Sequence, residues 1–354
     1  MTPPPARRLL VLGGDGIGPE VTDAALEILA EIAPRLPWPV QISTGPLGRV
    51  AFREFGEVAP ATVLEQARRA GAVLLGAVDT VGAAADGAPP GSAVLTLRRA
   101  LGCFAALRPV RGWPGTAAAS PIRASLRRRA DILFVRELAA GAYAGPHLTT
   151  ADELGLRRAS DRLAYTPGQV RKVALAAFRL ARQRRRRVTS VAPYDRLAIA
   201  RVWCEAMGRV AAGHADVEYE SMQPGEFVGH LLSQPSRFDV VVTENLLGDI
   251  LSDQAAALAG SLGLLPSASL SRAGMPSLYE PVHGAAPEIA GRGVANPVGA
   301  ILTLAMVLRD WGAAAVAEAI ERATGSALRS GVMTPDLGGS ASTREVTAAI
   351  AASL

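Results

Sequence analysis

The chain has 354 residues, 49% of them hydrophobic, with 37 basic and 32 acidic side chains and a formal net charge of +5. That length supports a large buried core and two lobes. No apolar run reaches the roughly 20 residues of a membrane span, and the N-terminus has no apolar leader or cleavage signal, so a cytoplasmic protein is expected.

Two cysteines, Cys103 and Cys204, make neither a disulfide framework nor a metal-ligand spacing. Lys172 is the single lysine, so almost all the positive charge is arginine. From the N-terminus, Arg8–Leu12 reads as a short strand, GGDGIGPE as a glycine loop, and VTDAALEILAEIA as a helix. Strand, glycine loop and helix is the layout of an anion or cofactor site, and equally of a plain tight turn. Gly14, Gly16 and Gly18 give G-x-G-x-G, which is not the dinucleotide fingerprint. A helix near Ala59–Ala70 and an apolar strand at Ala72–Leu75 continue the alternation, which predicts an α/β fold. Residues 79–92, rich in Gly, Pro and Ala, read as a loop.

Arg98, Arg108 and Arg136 each follow or end an apolar stretch. A guanidinium is always charged and offers a planar fork that matches a carboxylate. Singly, each reads as a surface residue of an arginine-rich chain; converging on one cavity, the three suit a dicarboxylate. Tyr143 is a candidate acid or a half-buried packing residue. Residues 167–187 have helical periodicity and end in Arg184–Arg187, where cations complement the helix dipole. Without interleaved aromatics, a zinc pattern or a helix-turn-helix, this run reads as a solvated helix end, and no nucleic-acid partner is expected. Val188–Val191 is the next strand, and APYDRLAIARVW is expected to start a helix with Pro193 in its first turn.

The stretch from Phe238 to Ser269 carries the clearest chemistry. Strand formers Val240–Thr243 reach Glu244 and Asn245, and a helical segment then holds Asp249 and Asp253, four residues apart on one face. Two such carboxylates repel unless a cation lies between them, and oxygen ligands suit Mg²⁺ or Mn²⁺. A solvated helix face gives the same spacing. LYEPVHGAAPEIAGRGVAN (278–296) follows, then helices at Pro297–Leu308 and Ala313–Leu328 and the phrase TPDLGGSAST.

Taken together, GDGIGPEV, the three arginine phrases, the segment of Asp249 and Asp253, and residues 278–296 resemble the β-decarboxylating dehydrogenases. That family comprises the 3-isopropylmalate, isocitrate and tartrate/malate dehydrogenases, and the resemblance runs from about Leu9 to Ile350. It implies an isopropylmalate dehydrogenase-like, two-lobed α/β fold with an open, mostly parallel sheet that is not a Rossmann fold. Residues 1–103 and 262–354 would form the coenzyme-binding lobe. Residues 104–261 would form a second lobe with the dimer contacts and the metal-binding helix. The implied activity is NAD-dependent oxidation, with decarboxylation, of a 2-hydroxy dicarboxylic acid.

By the same resemblance, Arg98, Arg108 and Arg136 would bind substrate carboxylates, Tyr143 would protonate the enolate carbon, and Asp249 and Asp253 would hold the metal. His283, Gly284, Ala285 and Asn296 would meet the adenosine half, with Asp336 near the coenzyme. Glu288 would accept from the ribose hydroxyls and repel a 2′-phosphate, favouring NAD over NADP. Val94 and Leu95, four and three residues before the first arginine, would read the third substituent of the malate core as apolar. Ser92 is a position where isocitrate enzymes carry serine.

Three positions depart from the family. Pro193 replaces its catalytic lysine, Gly225 its third metal aspartate, and Gly91 the glutamate placed near the nicotinamide. The first two belong to the half-site that one subunit of the family's dimer lends to the other. Asp195, Tyr194 or Glu226 would then stand in. Alternatively the chain is a subunit of a hetero-oligomer with an intact paralogue, or a non-catalytic binding protein.

Overall fold

The computed structural model describes residues 4–79, 92–153 and 155–354. β1 (Arg7–Gly14) buries Leu9, Leu10, Val11 and Leu12 and turns into α1 (Gly18–Ile32). β2 (Val40–Thr44), α2 (Arg49–Phe55), α3 (Ala61–Arg69) and β3 (Ala72–Ala77) follow. The expected loop at 79–92 falls largely, and Gly91 wholly, outside the described residues. The chain is described again in α4 (Ser92–Leu101), β4 (Cys103–Arg111), α5 (Ala124–Arg127) and β5 (Asp131–Glu137). An exposed antiparallel hairpin, β6 (His147–Ala151) and β7 (Arg157–Asp161), precedes α6 (Pro167–Arg182). β8 (Arg187–Val191), α7 (Ala198–Ala212), β9 (Glu218–Met222), α8 (Pro224–Ser233), β10 (Val240–Thr243) and α9 (Asn245–Ala259) come next. β11 (Pro266–Ser271), β12 (Leu278–Pro281), α10 (Val298–Asp310), α11 (Ala314–Arg329) and α12 (Thr343–Ala351) complete the series.

Local chemistry explains several of these limits. Thr166 and Gln169 form a reciprocal capping box with Pro167 in the first turn, so α6 starts sharply. Most of its buried residues, Val170, Val173, Ala174, Ala177, Phe178 and Ala181, recur at three- and four-residue spacing and face one side. β3 and β10 are buried along their whole length, as befits parallel strands covered on both faces.

Two sequence expectations change. The helix expected over 167–187 stops at Arg182, because Asp239 is fully buried and needs partners. Arg184 donates to Asp239 (2.8 Å) and to Asp131 (2.9 Å), and the Arg185 amide donates to Asp239 (2.8 Å). Arg186 turns the chain with φ of +58°. Arg184 and Arg185 therefore clamp a buried carboxylate just beyond the helix, while Arg185, Arg186 and Arg187 stay exposed as a solvated end would be. Pro193 is the second case. It lies in the turn between β8 and α7, since Leu197 is extended and the helix begins only at Ala198.

The chain divides into two compact units. One comprises Met1–Cys103, Gly112–Ala124 and Ala256–Leu354; the other comprises Phe104–Arg111 and Ser125–Ala255. Residues 112–124 and 256–261, read from the sequence as second-lobe residues, are grouped with the first unit. Within the first unit the strand order is β2-β1-β3-β12-β11, parallel except between β11 and β12. Helix α1 packs against α10 and α12. In the second unit the order is β4-β5-β10-β8-β9, parallel except between β4 and β5. Helix α6 packs on β5 and β10. The sheet is thus mostly parallel, as expected. No described helix is long and apolar enough to cross a membrane.

The glycine loop after β1 is used up in backbone packing. Gly14 and Gly16 have φ of +77° and +58°. A Cβ at Gly14 would overlap the carbonyl of Ala77, and one at Gly16 the carbonyl of Ala285. Ile17 N donates to that same Ala285 carbonyl (2.8 Å). Gly16→Ala is therefore expected to destabilise the protein by about 2–4 kcal/mol, combining left-handed strain with a backbone overlap. Chemical denaturation checks this, and an unchanged unfolding midpoint would contradict it.

Candidate active site

The second unit gathers five of the residues singled out in the sequence. Arg108 on β4 stands opposite Phe134 on β5, so Arg136, two residues on, projects from the same face of the sheet. Both reach α9, whose Asp249 and Asp253 share one helical face. Arg108 Nη1 donates to Asp253 (2.6 Å) and Ser252 (2.8 Å), and its Nη2 to Asp249 (3.1 Å). Arg136 pairs with Asp249 and donates from Nε to Asn245 (2.9 Å). Gly248 makes this possible, because a Cβ there would lie 2.7 Å from Cγ of Arg136.

Tyr143 completes the group. Its hydroxyl donates to Asp249 Oδ2 (3.2 Å), and the Arg136 guanidinium lies 5.5 Å from its ring centroid. Burial, reinforced by the Asp249 carboxylate, raises the Tyr143 pKa. The phenol therefore keeps its proton, as an acid must before it acts. Burial also raises the pKa of Asp253, with Arg108 opposing. Two guanidiniums and two carboxylates leave the cluster formally neutral.

A divalent metal fits this site in donor type only. Asp249 and Asp253 offer hard oxygens, but each already accepts from a guanidinium. Among the described residues no group of three or more His, Cys, Asp or Glu is disposed to hold a metal ion. Two carboxylates supply a minority of a six-oxygen shell, and the rest would come from water and ligand.

The remaining candidates lie elsewhere. Arg98 on α4 belongs to the first unit and pairs there with Glu280 of β12. Val94 is buried, whereas Leu95 on the same helix is 37% exposed. Tyr194 and Asp195 sit on the exposed turn before α7, outside the Asp249 cluster. Gly225 lies in the first turn of α8, where an added Cβ would be 3.9 Å from the Tyr194 hydroxyl. Glu226 faces His230 at 3.9 Å on the same helix. Lys172 is exposed on α6, 4.0 Å above the ring of Phe104.

In the first unit, Asp336 accepts from Asn296 Nδ2 (3.0 Å), Ser261 and Thr334. It thus braces Asn296, whose own carbonyl oxygen accepts from Val298 N (3.1 Å). His283 Nδ1 contacts the Gly284 carbonyl (3.0 Å). A carbonyl only accepts, so Nδ1 carries the proton and Nε2 is left as an acceptor. That Nε2 is shielded from solvent and has no partner among the described residues, and burial lowers the ring's pKa. A neutral imidazole with one unused acceptor fits a ligand bearing an N–H or O–H, such as an adenosine. Gly284 and Glu288 are exposed beside it, and Ala285 is buried against Ile17.

Sequence reasoning missed a second layer beneath Arg136 and Tyr143. Glu137, Tyr165 and Glu244 are all buried. Glu137 accepts from the amides of Ala139 (2.8 Å) and Ala140 (2.9 Å). No motif marks these residues. The available signal was an isolated acidic residue at the end of an apolar strand, at Glu137 and again at Glu244.

A family model described as isocitrate/isopropylmalate dehydrogenase matches residues 8–350. The chain is 40% identical over 351 residues to 3-isopropylmalate dehydrogenase of Streptococcus mutans, covering 98% of this chain and all of the relative. It is 44% identical over 335 residues to that of Geobacillus kaustophilus, covering 93% and 90%. Among solved structures it resembles isocitrate dehydrogenase from Methylococcus capsulatus (TM-score 0.89, 31% identity, 98% and 99% covered). It also resembles the apo β-decarboxylating dehydrogenase from Thermococcus kodakarensis (TM-score 0.80, 33% identity, 98% and 96% covered).

Burial raises the Glu137 pKa from 4.5 to about 7, aided by the nearby Glu244 and opposed by the amides and Arg136. The folded protein then binds more protons than the unfolded chain between these values, so this contribution is complete below pH 4.5 and lost as pH rises to 7. The loss amounts to roughly 3 kcal/mol. Glu137→Gln, which stays neutral, should gain stability relative to the parent across that window. Thermal unfolding at pH 5 and pH 8 measures it, and a difference that does not grow with pH would exclude Glu137 as the titrating group.

Proposed function

The chain belongs to the isocitrate/isopropylmalate dehydrogenase family, and from that membership we propose that it is an NAD- and divalent-metal-dependent dehydrogenase acting on a 2-hydroxy dicarboxylic acid with decarboxylation. The observation that carries this reading is the cluster of Arg108, Arg136, Tyr143, Asp249 and Asp253. It combines fixed cations for carboxylates, hard oxygens for Mg²⁺ or Mn²⁺, and one protonated acid.

When bound, NAD would accept the hydride from C2, and the metal would polarise the substrate oxygens. The chain's own residues do the rest. Arg108 and Arg136 grip a substrate carboxylate; Arg108 uses only three of its five donors within the cluster. Arg98, which pairs with Glu280 in the first unit, is the third arginine assigned to a carboxylate. Loss of CO₂ leaves an enolate, and Tyr143 delivers a proton to its carbon and is re-protonated from solvent. In a homodimer the hydroxyl proton lost on oxidation passes to Asp195, Tyr194 or Glu226 lent by the second subunit, since within one chain these groups lie outside the Asp249 cluster. Coenzyme binding is assigned to His283, Gly284, Ala285, Glu288 and Asn296, with Asp336 as the brace of Asn296. Leu95, more exposed than Val94, offers an apolar surface to the third substituent.

A second reading is favoured by Pro193 and Gly225, which stand where the family carries its lysine and its third metal aspartate. In that reading an intact paralogue supplies the lysine and aspartate in a hetero-oligomer, or the chain binds ligand without turnover. A self-sufficient homodimer belongs to the first reading.

The two readings separate in one assay series. NAD binding and NADH formation are measured with 3-isopropylmalate, malate, tartrate and isocitrate in Mg²⁺ or Mn²⁺, for the parent and for Pro193→Lys plus Gly225→Asp. The first reading expects turnover by the parent. NAD binding without turnover, with activity gained in the double variant, establishes the second. For the coenzyme, Glu288→Ala is expected to narrow the preference for NAD over NADP by about tenfold. An unchanged ratio of the two kcat/KM values removes Glu288 from the ribose site.

A further inference from the structure

We propose that Tyr165 is a positioning residue of the candidate active site: its buried phenol fixes both the loop that carries Tyr143 and the start of α9, through which Asn245 orients Arg136. This rests on the reading that Tyr143 and Arg136 act on substrate.

Tyr165 precedes α6 and is buried although its neighbours Ala164 and Thr166 are exposed. Its ring is held edge-on against Trp203, with centroids 5.6 Å apart. The hydroxyl works in both directions. It donates to Glu244 Oε2 (3.0 Å) and accepts from the Asn245 amide (2.9 Å). Glu244 in turn accepts from the amides of Leu246 (3.1 Å) and Leu247 (2.6 Å), capping α9. Glutamate is not among the favoured capping residues, and the phenol is the side-chain group that holds this one in place.

The same hydroxyl shapes the Tyr143 loop. Gly141 has φ of +82°, and a Cβ there would overlap the Tyr165 hydroxyl and come within 3.0 Å of Asn245 Cβ. Only glycine lets the loop pass so close, two residues before Tyr143. Asn245 Nδ2 donates to the Ala140 carbonyl (2.7 Å), while Asn245 Oδ1 accepts from Arg136 Nε (2.9 Å). Glu137 holds the Ala139 and Ala140 amides from the other side. The loop is thus fastened by Glu137, Asn245 and Tyr165, and Asn245 is itself fastened by Tyr165. The phenol touches neither Tyr143 nor Arg136 in any of these bonds, so its action is indirect.

A phenol suits this place because one buried atom must both donate and accept. Phenylalanine would keep the ring and the Trp203 contact, yet leave the Asn245 amide without an acceptor. Small displacements of positioned groups are costly to rate, so the effect should reach the chemistry.

The test uses Tyr165→Phe in the full chain, with Glu244→Gln as a second variant that keeps an acceptor at the helix start. Two readouts are taken below the unfolding range. One is the NMR resonance of Arg136 Nε–H in the unliganded protein, assigned by its loss in Arg136→Lys. The other is kcat and KM for the dicarboxylate that the parent turns over. Tyr165→Phe should shift or broaden the Arg136 signal and lower kcat at least about tenfold, with KM for NAD unchanged. Glu244→Gln should move both readouts in the same direction. An unmoved Arg136 signal and unchanged kcat, alongside a lower Tm, would show a purely structural role and overturn the proposal. If the parent turns over none of the four acids, the dehydrogenase reading fails. The Arg136 signal then decides the positioning claim alone: a shift in Tyr165→Phe supports it, and an unmoved signal overturns it.

Discussion

Two guanidiniums set against two carboxylates give the second unit its centre. Arg108 and Arg136 come from adjacent strands, Asp249 and Asp253 from one helix, and none of the four is fully exposed. Partly buried charges of this kind are tolerable only when paired and hydrogen-bonded. The pairing therefore constrains what surrounds it. Gly248 has to be small for Arg136 to cross the helix, Ser252 has to offer an oxygen to Arg108, and Asn245 has to turn its carbonyl oxygen towards Arg136 Nε. Tyr143 reaches the same Asp249 and brings the one proton that the cluster holds ready.

Because the cluster is balanced, a ligand of the proposed kind would act by exchange. A dicarboxylate would bring negative charge to arginines already engaged, and a divalent cation positive charge to aspartates already engaged. Either alone would unbalance the four groups. A second layer lies beneath. Glu137, Tyr165, Glu244 and Asn245 fasten backbone amides and carbonyls, so that the side chains above them have a fixed platform.

The sequence made the family and its candidate ligands legible because those signals are local. GDGIGPEV, the spacing of Asp249 and Asp253, and the phrase at 278–296 are each contiguous. The meaning of some local signals changed once the chain was folded. GDGIG left an anion or cofactor site and a plain tight turn equally open, and its glycines make room for the carbonyls of Ala77 and Ala285. Arg184–Arg187 looked like a solvated helix end, and Arg184 also answers a buried aspartate 55 residues away. Pro193 fitted a helix start by propensity, but the turn at Tyr194–Leu197 delays the helix to Ala198. The platform under the cluster was illegible for the same reason. Tyr165 and Glu244 are 79 residues apart, and neither carries a pattern of its own.

The contact between Gly16 and Ala285 has a consequence for how the protein is made. Ile17 donates to a carbonyl 268 residues downstream, and β3 pairs with β12, which ends at Pro281. During synthesis β1, β2 and β3 can pair with one another as they emerge, whereas β12 and the helices α10 and α12 that pack on α1 come long afterwards. The second unit is closed by residue 255 and has its full set of strands by then. Vectorial synthesis therefore favours folding from the middle of the chain outward. The edge of β3 that β12 covers is then the part of the amino-terminal sheet left open longest.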